Sequence, residues 1–208
     1  MKGQFIVFDG LDGSGKGTLI ACLEKFLLKK GLEKETIVHT AEPTSGFYGK
    51  KVRELLALSV DPQVNARQFL DLYVADRKEH VQKVLEPAMR AGKIILCDRY
   101  KYSTFVYQGL QEIPAGKISA LHVGMPVPDI VFILDIPVDV ALQRINGDKK
   151  RRQLEAFEKK DFLEKVRASF LQIKKTFPAE NIIILDSSKS EEELCKKAGE
   201  IVWKRINK

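Results

Sequence analysis

Residues 5–18 read FIVFDGLDGSGKGT, and this stretch decides the fold. An apolar, β-rich run stops at a glycine-rich loop that ends in Gly15-Lys16-Gly17-Thr18. A strand, a phosphate-cradling loop and a helix look like this in sequence. The backbone N–H groups of such a loop point inward, the following helix presents the positive end of its dipole, and one lysine reaches the outer phosphates. Gly10, Gly13 and Gly15 allow tight turning and close phosphate approach, with Leu11, Asp12 and Ser14 between them. Lys16 is the point charge for the β- and γ-phosphates. A strict loop of this type has Ser or Thr directly after the lysine to ligate magnesium. Here Gly17 intervenes, so Thr18 stands one residue beyond the place a direct ligand needs. The chain is expected to bind a nucleoside triphosphate.

Working outward, apolar β-rich runs alternate with longer helical patterns. The spacing predicts strands over Phe5–Asp9, Thr36–Thr40, Ile94–Asp98, Ile130–Asp135 and Ile182–Asp186. Several are nearly continuous apolar runs, as parallel strands covered on both faces should be. Helices are predicted over Lys16–Lys30, Gly49–Leu58, Asn65–Ala91, Tyr102–Leu110, Ala115–Val123, Val138–Asn146, Lys159–Lys174 and Ser190–Lys204. This βα alternation implies an α/β fold of the P-loop type, a three-layer α/β/α arrangement on a five-stranded parallel sheet. Ligands of such sheets bind beyond the carboxyl ends of the strands. Asp9, Glu42-Pro43, Asp98 and Asp135 all fall at or near that edge.

The bulk numbers restrict the function classes. With 208 residues and no internal repeat or linker, the whole chain reads as one domain. No apolar run approaches the roughly 20 residues of a membrane span. No signal or transit peptide is visible in MKGQFIVFDG. The three cysteines, Cys22, Cys97 and Cys195, are scattered in apolar patterns without metal-ligand spacing. They are expected to be reduced core thiols of a cytoplasmic protein. The formal net charge is +7. The lysines are spread over helix surfaces rather than gathered beside aromatics, which favours a basic enzyme with polyanionic substrates over a nucleic-acid binder.

Three further motifs carry chemistry. Asp98-Arg99-Tyr100 closes a strand, where the carboxylate can orient magnesium waters and the guanidinium can grip a phosphate. Tyr73, Arg77 and His80 fall at i, i+4 and i+7 on one helix face, so a ring and an arginine could stack on a base and bond its edge. His80 by itself reads as structural. Gly147-Asp148-Lys149-Lys150-Arg151-Arg152 follows a helix and could be a flap whose cations stabilise charge in transit.

These elements, in this order, resemble the thymidylate kinase family, nucleoside monophosphate kinases that make dTDP from dTMP and ATP. The resemblance covers nearly the whole chain. It rests on GLDGSGKGT, Glu42-Pro43-Thr44, Leu72-Tyr73-Val74-Ala75-Asp76-Arg77, Asp98-Arg99-Tyr100 with Ser103-Thr104 and Tyr107-Gln108-Gly109, and Leu134-Asp135-Ile136-Pro137 followed by Arg144. The resemblance implies a lid over about 146–158 and a homodimer. It implies that Gly10 to Thr18 and Arg144 hold ATP, with Arg144 along the adenine. Asp12 would meet the deoxyribose 3′-hydroxyl, Tyr73 would stack on thymine, and Arg77 would read a thymine carbonyl. Ser103, Thr104 and Gln108 would lie around the nucleoside, and Tyr107 would crowd the sugar 2′ position. Arg99, assisted by Arg53, would hold the dTMP phosphate. Glu42, with Pro43, and Asp98 would lie near the acceptor phosphate and magnesium, Glu42 through water.

The family carries its catalytic arginine either in the P-loop, just after the acidic residue, or in the lid. Gly13 occupies the first place here, so the cation must come from Lys149, Lys150, Arg151 or Arg152. Arg151 and Arg152 are favoured, because guanidinium suits a planar phosphoryl group. Ala41 stands where bacterial members often have Arg, and the region Ile113–Gly124 reads as trimmed. The expected activity is in-line phosphoryl transfer catalysed by Lys16, Arg99 and a lid arginine with Mg2+. The rivals are a kinase for another pyrimidine monophosphate or a nucleoside, and a P-loop ATPase or binding module that is not a kinase.

Overall fold

The computed structural model describes residues 3–58, 64–147 and 159–207. The basic run Lys149 to Arg152 and most of the expected lid lie outside the described residues. The chain runs β1 (Gln4–Gly10), α1 (Lys16–Lys29), β2 (Ile37–Ala41), α2 (Phe47–Leu58), α3 (Ala66–His80), α4 (Glu86–Arg90), β3 (Ile94–Asp98), α5 (Lys101–Leu110), α6 (Ala115–Leu121), β4 (Ile130–Asp135), α7 (Val138–Gly147), α8 (Lys160–Thr176), β5 (Ile182–Asp186) and α9 (Glu191–Ile206). The five strands form one all-parallel sheet in the order β2-β3-β1-β4-β5. All five strands coincide with the sequence expectation to within a residue or so.

β1 is central, which explains why its apolar run is unbroken. Phe5 and Val7 enter the core under α4, α5, α7 and α8, while Ile6 and Phe8 enter the core under α1 and α9. β4 does the same, with Val131 and Ile133 on one side and Phe132 and Leu134 on the other. Each such side chain contributes roughly 1.5–3 kcal/mol on burial, so both faces of the sheet are anchored. The first crossovers lie to one side of β1 and the later ones to the other. The crevice beyond its carboxyl end is therefore the topological switch point.

One helix is less regular than the periodicity predicts. The expected helix Asn65–Ala91 passes through a π-helical turn, Val81–Leu85, between α3 and α4. Such turns insert an extra residue and re-aim the side chains beside them. The region Ile113–Gly124 carries one short helix, α6. α6 has only seven residues, flanked by left-handed backbone at Glu112 (φ 63°) and Gly124 (φ 79°).

The cysteine expectation needs correction. Cys97 is buried and reduced, and burial pushes its thiol well above the usual range. Cys22 and Cys195, however, form a disulfide between α1 and α9, with Cα atoms 5.8 Å apart and 173 residues between them in sequence. The two helices can approach because Gly199 lies against the Phe26 ring, where a Cβ would meet ring carbons at 2.8 Å. The bridge lies one helical turn from that contact on both helices. No sequence spacing encodes it, because it depends on how two distant helices cross.

Candidate active site

The loop after β1 turns at Gly10 (φ 139°) and Gly13 (φ 73°) before α1 begins at Lys16. A Cβ on Gly13 would sit 2.6 Å from the Ala141 carbonyl oxygen, in backbone that L side chains rarely adopt. No side chain fits there, which gives a physical reason why this loop carries no arginine after Asp12. Lys16 is buried, and its Nζ donates to the Leu11 carbonyl at 2.9 Å, folded back on its own loop. Burial lowers its pKa first, and Arg99 adds to that effect. The buried Ser14 hydroxyl has no partner among the described residues. A polyphosphate would supply acceptors for both groups.

β3 delivers Asp98 and Arg99 beside this loop. Arg99 has left-handed backbone (φ 68°), which costs a non-glycine residue about 1–2 kcal/mol. Its amide donates to the Phe8 carbonyl at 2.8 Å, and its guanidinium is held on several sides. Nη1 donates to Ser103 Oγ at 2.9 Å and to the Gly10 carbonyl at 3.1 Å, and Nη2 donates to Asp12 Oδ1 at 2.8 Å. Burial works against the Arg99 charge, but Asp12, then Tyr107, Asp9 and Asp98, outweigh it and hold the group well above its ordinary value.

Behind Arg99 lies Asp9, which the sequence reading placed at the strand edge without giving it a role. It is fully buried and accepts from the Ser103 amide (3.0 Å), Ser103 Oγ (2.6 Å) and the Gly10 amide (3.0 Å). It thereby fastens the first turn of α5 to the phosphate loop. Burial raises its carboxyl pKa, against the pull of Arg99 and Ser103. An acidic residue inside an otherwise apolar strand was the available signal.

Arg77 forms a second buried centre. Its Nε donates to Glu42 Oε2 at 2.7 Å, with Nη2 in ion-pair contact with the same oxygen at 2.6 Å, and Nη1 donates to Thr104 Oγ1 at 2.9 Å. His80 Nδ1 donates to Glu42 Oε1 at 2.9 Å. Both oxygens of Glu42 are thus committed to Arg77 and His80. In this arrangement Glu42 anchors Arg77 and also lines the cavity. His80 does not line the cavity, and it serves the network as a structural group. Asp76, one residue before Arg77, fixes the loop after β2 by accepting from the Thr44 amide at 2.8 Å. The Glu42-Pro43 peptide is cis.

A single cavity is bounded by all eleven residues expected to surround the acceptor: Asp12, Glu42, Pro43, Arg53, Tyr73, Arg77, Arg99, Ser103, Thr104, Tyr107 and Gln108. Arg53 lies folded onto the Pro43 and Gly49 carbonyls at its edge. Tyr107 is pressed under the Arg99 guanidinium, 5.8 Å from its ring centre, and burial raises its pKa. The buried Gln108 amide donates from Nε2 to Gln111 at 3.0 Å, while its Oε1 has no partner among the described residues. Thr104 Oγ1 accepts from Arg77, so its hydroxyl hydrogen is left to donate.

A second groove, on the other side of the loop, is lined by Gly13, Gly15, Thr18, Arg144, Ser187 and Lys189 among others. Arg144 reaches the Gly13 carbonyl at 3.3 Å, and Ser187 Oγ donates to the Ser14 carbonyl. Ser187 and Lys189 were missed in sequence. Their signal was a polar Ser-Ser-Lys-Ser run at the strand edge. Thr18 is exposed in this groove, whose lining does not include Asp98.

A magnesium site can be tested on the residues present. Asp98 Oδ1 is buried and unpaired, and no group of three or more His, Cys, Asp or Glu could hold a metal among the described residues. Magnesium usually keeps several waters and takes one or two carboxylates plus substrate phosphates. A single open carboxylate beside a phosphate loop fits that habit.

Comparison with known proteins agrees with this geometry. The family model described as thymidylate kinase matches residues 8–198. A thymidylate kinase of Desulfotalea psychrophila is 40% identical over 168 residues, 81% of this chain and 80% of its own. One from Brachyspira hyodysenteriae is 36% identical over 197 residues (94% and 91%), and one from Thermosipho africanus 35% over 207 (98% and 99%). Phosphate loop, paired arginine centres and sequence likeness over almost the full length lead to one assignment: the chain belongs to the thymidylate kinase family.

Proposed function

We propose that the chain transfers the terminal phosphoryl group of ATP to dTMP, giving dTDP, by direct in-line displacement. One observation carries the choice of base. The cavity offers donors at Arg77 and Thr104 beside an unpaired buried acceptor, Gln108 Oε1. Thymine presents a carbonyl acceptor at O4 next to its N3–H donor and complements that set. Cytosine presents the opposite pattern and would leave buried groups unpaired.

Arg99 and Arg53 hold the acceptor phosphate. Its attacking oxygen is already anionic at neutral pH, so no general base is needed. Glu42 and His80 are bonded to each other, and the open carboxylate of Asp98 is assigned to the magnesium waters. Lys16 turns from the Leu11 carbonyl to the ATP phosphates, and the loop amides complete the cradle. Asp98 would hold Mg2+ through water. When bound, the ion neutralises developing phosphate charge. The donor base lies along Arg144, and the lid over about 146–158 closes with Arg151 or Arg152 toward the transferred group and excludes water. The chain works as a homodimer in the cytoplasm, without nucleic acid or membrane. The cysteine argument for that location no longer applies, and it rests on the enzyme's need for ATP. No described helix is long and apolar enough to cross a membrane.

The test is initial rates with ATP across dTMP, dUMP, dCMP, dGMP and UMP. The expected result is dTMP as best substrate, with kcat/KM for dCMP lower by about 100-fold or more. Equal rates with dCMP, or ATP hydrolysis independent of any acceptor, would overturn the assignment.

A further inference from the structure

His122 lies at the carboxyl end of α6, in the short segment that follows the acceptor helix α5, and no role was expected of it. Its ring is buried. Nδ1 lies 2.7 Å from the Ile118 carbonyl oxygen, and Nε2 lies 2.7 Å from Arg77 Nη1. A carbonyl can only accept, so Nδ1 carries the proton. Nε2 is then a lone pair, and it accepts from the guanidinium. The ring is neutral for a physical reason as well. Burial first, and then the Arg77 charge, push its pKa down to about 4.

Four contacts now fix the plane of Arg77. Glu42 takes the Nε and Nη2 side, Thr104 and His122 take Nη1, and the guanidinium lies 5.2 Å from the Tyr100 ring centre. A guanidinium has five N–H donors; these hydrogen bonds use Nε and both of Nη1, and leave those of Nη2, which lies against Glu42. A buried arginine with an unmatched donor turns to find an acceptor. Without His122 the free Nη1 hydrogen would compete for Thr104 or for the cavity, and the donor pattern facing the base would change.

We propose that His122 is a positioning residue for base selection, a neutral acceptor that holds Arg77 in the one orientation that presents a fixed donor to the acceptor nucleotide. The inference rests on the reading of Arg77 as a base-facing residue. It goes beyond that reading by placing part of the specificity in the α6 segment, outside the cavity wall.

The experiment compares His122→Leu with His122→Gln in steady-state kinetics with dTMP and dCMP. Gln has one acceptor for Arg77 and one donor for Ile118; Leu has neither. In His122→Leu the KM for dTMP is expected to rise about 10-fold and the preference for dTMP over dCMP to fall by a similar factor. The KM for ATP and kcat should stay within about threefold, and His122→Gln should recover most of the loss. Unchanged dTMP KM and selectivity in His122→Leu, or equal losses in both variants, would overturn the proposal. Wild-type selectivity is a separate arm: if the wild type does not prefer dTMP, the base assignment fails first, and the proposal with it. Should His122→Leu not fold, nitrogen-15 NMR of the wild-type imidazole decides. The Nδ1–H tautomer across pH 6–8 is the expected signature, and the Nε2–H tautomer or an imidazolium would overturn the assignment.

Discussion

The cavity proposed for the acceptor and the groove proposed for the donor share one loop but are built differently. On the acceptor side both arginines are fixed by carboxylates and hydroxyls before any substrate binds: Arg99 by Asp9, Asp12 and Ser103, and Arg77 by Glu42, Thr104 and His122. On the donor side Lys16 is folded onto its own loop, and Arg144 makes one long bond to Gly13. Fixed, buried donors discriminate between bases, because a mismatched partner leaves a buried group unpaired. A donor nucleotide is held mainly by its phosphates, so its site can be completed when it binds. Selectivity should therefore sit on the acceptor side, and grip on the donor side.

The largest expected effect tests the acceptor half of that contrast. Arg99→Ala should lower kcat/KM for dTMP about 1,000-fold, through both a higher KM and a lower kcat, while the KM for ATP changes little. Steady-state kinetics with each substrate varied in turn measures this, and near-normal dTMP kinetics would break the comparison. Next comes the disulfide, which ties together α1 and α9, both of which wall the donor groove. Reducing it, or Cys22→Ser, should cost about 2–4 kcal/mol in urea unfolding. The ATP KM should rise while the dTMP KM holds. An unfolding midpoint that ignores reductant would remove the bridge from the account.

A third test separates Gly13 of the shared loop from Gly17 in the first turn of α1. Gly13→Ala should destabilise by about 2–3 kcal/mol, because its backbone is left-handed and the Ala141 carbonyl is in the way. A Cβ on Gly17 meets nothing within 4 Å, and Gly17→Ala should be neutral or stabilise by up to about 1 kcal/mol. Thermal unfolding compares them, and equal shifts would mean that the loop is not as tightly packed as described.

The smallest effect is pH-dependent. His122 has a depressed pKa, so the unfolded chain takes up its proton first as pH falls. The stability it contributes is complete above about pH 6.5 and is lost as pH falls toward 4. Arg77, Glu42 and Lys101 are the charged groups that set this shift besides burial. Between pH 7 and 5 the wild type should lose about 1–2 kcal/mol that His122→Gln does not. The raised pKa of Asp9 acts in the opposite sense in both proteins and cancels in the difference. Identical pH profiles would show that the ring is not held as a buried neutral acceptor.

Most of the fold was legible because its signals are local. Strand periodicity and the glycine loop each depend on a few neighbouring residues; the capping box that Ser190 and Glu193 close at the start of α9 is as local but was not read in the sequence. The eleven residues that the motifs assigned to the acceptor line one cavity. Their partners were less visible. Asp9 was read only as a strand end, and the bonds from Glu42 to Arg77 and His80 were not foreseen. Ser187 and Lys189 come from a loop that carries no motif.

The sequence by itself determined the sheet, the phosphate loop and the family, since these follow from short-range patterns and from motif order. Only the tertiary structure decided which side chains complete one another. Cys22 meets Cys195 across 173 residues because Gly199 lets two helices close, and His122 meets Arg77 because α6 ends beside α3. Such pairings depend on where distant elements cross. Burial then makes them matter, since a charge or donor out of water must find its partner in whatever the fold brings near.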